Sequence, residues 1–66
     1  MLNAHLDSDH EGIKAMLTMD GEVIDECGPF DDREDAYYAA ERAIRASSDD
    51  ALTIHNAVRS LYGEAL

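Results

Sequence analysis

From Ile13 to Asp20 apolar and polar residues alternate, with Ile13, Ala15, Leu17 and Met19 on one side and Lys14, Met16, Thr18 and Asp20 on the other. A period of two is the period of a strand, and polarity on alternate positions means that one face is buried and the other wet. The dipeptide Asp20-Gly21 follows at once. Both residue types tolerate the positive φ of a two-residue type I′ hairpin, so segment 22–27 returns antiparallel to the first strand. A two-residue turn sets Leu17 opposite Ile24, where both face the core. It also sets Ala15 opposite Glu26, a mismatch that points to a bulge or to another register. Leu2, Ala4 and Leu6 alternate with Asn3, His5 and Asp7 in the manner of a further, edge strand.

Gly28-Pro29 is expected to end the sheet, and Phe30-Asp31-Asp32-Arg33-Glu34 to open a helix, with Asp31 as its cap and Glu34 closing a capping box. The helix runs to about residue 46 on a stripe of Tyr37, Ala40 and Ile44 with Ala36 and Ala43 beside it, a helical spacing. Ser47-Ser48-Asp49-Asp50 breaks the chain and caps it again. Ala51, Leu52, His55, Val58, Leu61, Tyr62 and Ala65 then recur at intervals of three and four, giving a second helix that Gly63 ends. The competing assignment makes 51–55 a strand on its β-branched Thr53 and Ile54. The expected architecture is α+β: a single domain over residues 1–66, with a two- or three-stranded antiparallel sheet covered by two C-terminal helices. A core of this size only just offsets conformational entropy.

Asp7-Ser8-Asp9-His10-Glu11-Gly12 imitates the start of an EF-hand loop, but Thr18 stands where the bidentate glutamate belongs and strands flank it, so it reads as a solvated acidic turn. His5, His10 and His55 lack the short spacings of a zinc site, and no cofactor motif is present. The lone Cys27 excludes an internal disulfide and reads as a small buried hydrophobe, while His55 reads as a helix-packing residue. A Cys27/His55 dyad lacks an orienting group and an oxyanion site, so no enzymatic activity is expected. Residues 1–5 carry no basic leader, and no apolar run approaches the roughly 20 residues of a membrane span, which fits a cytoplasmic protein.

Fifteen Asp and Glu stand against five Lys and Arg, a formal charge of -10 on 66 residues. Helix-dipole capping accounts for one or two acids at each helix start and leaves those of the hairpin and the first turn over. Such a field repels nucleic acid and anionic membranes and attracts basic surfaces. Duplex DNA carries one charge per roughly 1.7 Å, so the net charge matches about five base pairs. In its charge array of Asp20, Glu22, Asp25, Glu26, Asp31, Asp32, Glu34, Asp35, Asp49 and Asp50, its size and its lone cysteine, the chain resembles the small acidic phage-encoded inhibitors that imitate DNA, notably anti-CRISPR proteins. The resemblance is one of kind and involves no shared motif. It implies that these carboxylates stand in for phosphates and occupy the Lys and Arg side chains with which a CRISPR surveillance complex grips DNA in the host cytoplasm. Tyr38 or Met16 would serve as exposed apolar anchors.

Two other classes fit the composition. Nine Asp, six Glu and the single lysine, Lys14, also suit a halophile-adapted domain that stays hydrated in concentrated salt. An antitoxin-like interaction module would instead use Tyr37, Tyr38, Ile44, Val58, Leu61 and Tyr62 to pair with a partner or with itself as a homodimer.

Overall fold

The computed structural model describes residues 1–63. Three strands, β1 (Leu2–Asp9), β2 (Gly12–Met19) and β3 (Glu22–Phe30), are followed by two helices, α1 (Arg33–Ser47) and α2 (Ala51–Gly63). The sheet is antiparallel in the order β1-β2-β3, so the alternating segment takes the centre and the fold is the α+β arrangement expected. Both connections are tight. Asp20 and Gly21 have φ of 54° and 86°, the pair of positive values a type I′ hairpin demands. Between β1 and β2, Asp9 pairs with Gly12 across His10 and Glu11, and the Asp9 carboxylate accepts the Glu11 N–H at 2.8 Å.

Pairing of Leu2 with Met19, Ala4 with Leu17 and Leu6 with Ala15 lines up one face of β1 and β2 for the core. The other face pairs Asn3 with Thr18, His5 with Met16 and Asp7 with Lys14. On β3 the simple hairpin register is overturned. Thr18 pairs with Val23 but Leu17 with Asp25, so Ile24 is an extra residue in a bulge and remains 48% exposed instead of meeting Leu17. The mismatch of Ala15 with Glu26 disappears for the same reason. One inserted residue reverses the alternation, giving Ala15 the half-buried Cys27 and moving Glu26 to the open face beside Met16.

Gly28-Pro29 does not end the sheet. A second irregularity places the dipeptide opposite Lys14 and lets β3 rejoin β2 where Phe30 pairs with Ile13. Pro29 has no N–H to contribute, which an edge strand tolerates. Gly28 adopts φ of 117°, and a Cβ there would lie 2.9 Å from the Ile13 carbonyl oxygen. This close backbone approach requires glycine.

Both helices lie on the same face of the sheet, α1 against β2 and β3 and α2 chiefly against β1. The core at that interface is Leu2, Ala4, Ala15, Leu17, Ala40, Ile44, Ala57 and Leu61, in which alanines bring the helix backbones close to the strands. Among the described residues, only Leu17, Ile44 and Leu61 are large side chains fully removed from solvent. The α1 stripe is as expected, with Ala36, Ala40 and Ile44 buried. Its cap differs: Asp32 rather than Asp31 is the N-cap, and no side-chain hydrogen bond caps the helix, so the capping box of Asp31 and Glu34 does not form.

Segment 51–55 is helical, which removes the competing strand assignment. Asp50 caps it, its carboxylate accepting the Thr53 N–H at 3.0 Å and the Thr53 hydroxyl at 2.7 Å. The inward stripe of α2 is Ile54, Ala57, Val58 and Leu61. Leu52 is 66% exposed and His55 is exposed too, so the expected face is out of phase and His55 is no packing residue. Ala65, placed on the same stripe, lies outside the described residues.

Candidate functional site

All ten carboxylates proposed for partner binding are exposed. They do not form one array. Asp20 and Glu22 sit at the hairpin end of the sheet, and Asp31 and Asp32 follow Phe30 at the other end, the end that also holds the His10-Glu11 turn. Between them, Asp25 pairs with Leu17 and Glu26 with Met16, so the two adjacent acids point to opposite faces of the edge strand. Glu34 and Asp35 occupy the first turn of α1, where the unpaired N–H groups favour negative charge. Asp49 and Asp50 lie in the connection between the helices.

Four of the ten already have partners inside the molecule, among them Asp25, whose carboxylate accepts the Glu26 N–H at 2.8 Å. The N-terminal ammonium of Met1 holds Asp20. The capping bonds to Thr53, first that of its hydroxyl and then that of its N–H, hold the Asp50 carboxyl below the usual carboxylate range. Glu26 lies 3.7 Å from the Lys14 ammonium. The same ammonium is 3.9 Å from Asp9 and 3.8 Å from Glu11, so Lys14 on the central strand ties both neighbouring strands and a turn together. Sequence reasoning passed over this role, although the single lysine among so many acids was its signal.

Charge is divided unevenly between the layers, which are also the two halves of the chain. Residues 1–32 carry nine carboxylates and one lysine. Within α1 three carboxylates, Glu34, Asp35 and Glu41, are balanced by Arg33, Arg42 and Arg45, and α2 carries only Arg59. The acidic surface is therefore the sheet and its turns, and the first helix is neutral overall.

The face of the sheet away from the helices is open. It presents His5, Asp7, Lys14, Met16, Thr18 and Glu26, with Val23 half exposed at the edge. Of the two proposed anchors, Tyr38 is 64% exposed and Met16 is half-buried on this open face. The interaction-module surface is corrected: Ile44 and Leu61 are core, Val58 and the half-buried Tyr37 pack against it, and of the six Tyr38 and Tyr62 are exposed.

Cys27 packs at the margin of the core beside Phe30, Ala39, Arg42, Ala43 and Ala46. Burial, and then the charge of Asp25, push its thiol above the ordinary value, so at neutral pH it is a protonated side chain in an apolar recess. Among the described residues no group of three or more His, Cys, Asp or Glu is arranged to hold a metal ion. Of the acids of the EF-hand imitation, Asp7 and Asp9 belong to β1, whose extended backbone does not wrap a cation, and Glu11 sits in the two-residue turn. No helix among the described residues is long and apolar enough to cross a membrane. No family model, curated protein or solved structure matches the chain.

Proposed function

We propose that this protein is a non-enzymatic inhibitor that occupies the basic DNA-binding surface of a protein complex, a CRISPR surveillance complex being the foremost target, with carboxylates in place of phosphates. The observation that carries this reading is the division of charge between layers. Seven carboxylates against one lysine lie on the strands and their two turns, while α1 sets three carboxylates against three arginines and α2 carries one arginine. Carboxylates spread for hydration alone would cover both layers. The largest Cα extent of the molecule, 33 Å, equals about ten base-pair steps of 3.4 Å, a scale suited to a DNA-binding cleft.

A test is to immobilise the protein through its C-terminus, leaving Lys14 and the N-terminus free, and to apply a purified surveillance complex in dilute buffer. The expected result is retention, release on a moderate salt ramp, and displacement by short duplex DNA, because exposed ion pairs are screened by salt. No retention, or retention that persists through high salt, overturns the proposal. One observation favours a second reading, the halophile-adapted domain: within the sheet layer the acids lie at both ends and on both faces. That reading requires unfolding in dilute buffer through unscreened repulsion, which circular dichroism at low salt decides.

A further inference from the structure

All three tyrosines of the chain line one groove of about 460 Å³ at the seam of α1 and α2, together with Arg33, Glu34 and Glu41. Glu34, Tyr37, Tyr38 and Glu41 follow the i, i+3, i+4, i+7 rule and form a second stripe on α1, distinct from its core stripe of Ala36, Ala40 and Ile44. Tyr62 enters from α2. Its ring stacks on Tyr37 with centroids 4.7 Å apart and planes 21° from parallel, so the two rings form an aromatic wall that covers one face of each and leaves the outer face of the stack. Tyr38 forms the rim at 64% exposure, and Tyr62 remains 38% exposed. Burial, and then the neighbouring Glu41 carboxylate, raise the Tyr62 phenol above its ordinary value, so that phenol is neutral at neutral pH.

Electron-rich ring faces beside two carboxylates are the chemistry that recognises a cation. The molecule already contains a small instance of it: the Arg42 guanidinium carbon lies 5.9 Å from the centre of the Tyr38 ring. A planar guanidinium suits this setting better than an ammonium, since it can stack on a ring while its N–H groups reach a carboxylate in its own plane.

We propose that the groove seats an arginine side chain of a protein partner, stacked on the tyrosine wall and donating to Glu34 and Glu41. Arg33 is the one cation in the lining, and its positive charge opposes the entry of another. This deepens the reading above, on which it rests only for the source of the arginine, and it gives the helical layer a contact of its own beside the acidic sheet.

The test needs no partner. Acetyl-Gly-Arg-Gly-amide is titrated into the labelled protein while the ring resonances of Tyr37, Tyr38 and Tyr62 are followed by NMR, with the lysine and citrulline analogues in parallel. Saturating shifts of these rings are expected with the arginine peptide, and binding about tenfold weaker with uncharged citrulline. Glu41→Gln and the exposed Tyr38→Ala weaken the arginine peptide several-fold, whereas Arg33→Ala tightens it, a gain that a misfolded variant would not give. Absence of saturating shifts, equal binding of citrulline, lysine binding as tight as arginine, or indifference to Tyr38→Ala overturns the proposal. Its failure leaves the capture by the acidic sheet unaffected, and failure of that capture leaves the peptide result standing.

Discussion

The sheet layer and the helical layer of this molecule are built on opposite electrostatic plans. The strands and their turns set seven carboxylates against a single lysine, α1 and α2 together set three carboxylates against four arginines, and Asp31, Asp32, Asp49 and Asp50 lie in the segments that lead into the helices. The sheet repels itself, whereas in α1 three acids are matched in number by three arginines. What joins them is apolar: an alanine-rich interface with Leu17 from the sheet and Ile44 and Leu61 from the helices at its centre. A strongly charged small domain thus relies on its neutral layer and on close backbone packing for cohesion, and leaves the charged layer free for other purposes.

The largest effect should come from breaking that joint. Leu17→Ala removes a fully buried side chain and is expected to cost about 3 kcal/mol, comparable to the whole stability of a domain this small. Because the two layers share one core, far-UV circular dichroism and tyrosine fluorescence should report the loss at the same denaturant concentration. Separate transitions would mean that the layers fold independently. A smaller, salt-dependent effect sharpens the electrostatic contrast. Neutralising Glu22, Asp25 and Asp31 to their amides should raise the melting temperature in dilute buffer, by relieving repulsion, with the gain vanishing near 1 M salt. Neutralising Glu34, Asp35 and Glu41 should give no such gain, because α1 then holds three unbalanced arginines. Equal gains from both sets would erase the distinction between layers.

The smallest effect belongs to the connection between the helices. Asp50→Ala removes the hydrogen bonds to Thr53 and should fray the first turn of α2, seen as a modest fall in melting temperature. The sign of its pH dependence follows from the lowered carboxyl pKa of the folded state. The contribution is complete above the unfolded value of about 3.9 and fades as the pH falls through the folded value. The wild type should therefore lose part of its advantage over Asp50→Ala below pH about 4, and a constant difference down to the acid limit would remove the capping assignment.

Much of this fold was legible because its signals are local. The alternation of 13–19, the Asp20-Gly21 turn and the Ala36, Ala40, Ile44 stripe each announce an element within a few residues. The exceptions are positions where tertiary contact chooses between local options. In α2 the expected stripe shares Val58 and Leu61 with the observed one, but Leu52 and His55 stood where Ile54 and Ala57 face the core. Ile54, Ala57, Val58 and Leu61 win because they include the small Ala57, which permits close approach to the sheet. The bulge at Ile24 was signalled only by the discomfort of Glu26 opposite Ala15, and the register around Gly28-Pro29 depends on a backbone contact with Ile13 that no short window contains. For the site, the count and exposure of the acids followed from composition. Their division into two sheet ends, the engagement of Asp20, Glu26 and Asp50, and the convergence of three tyrosines required knowing which strand faces which helix.

Lys14 carries a chemical consequence as the sole side-chain amine of the protein. Acylating reagents and acyl-transferring enzymes that modify amines can reach this chain only there and at its N-terminus. A single acetyl group on Lys14 would leave Asp9, Glu11 and Glu26 without their shared counterion, and would turn the sheet layer into a surface with no fixed lysine or arginine charge at all.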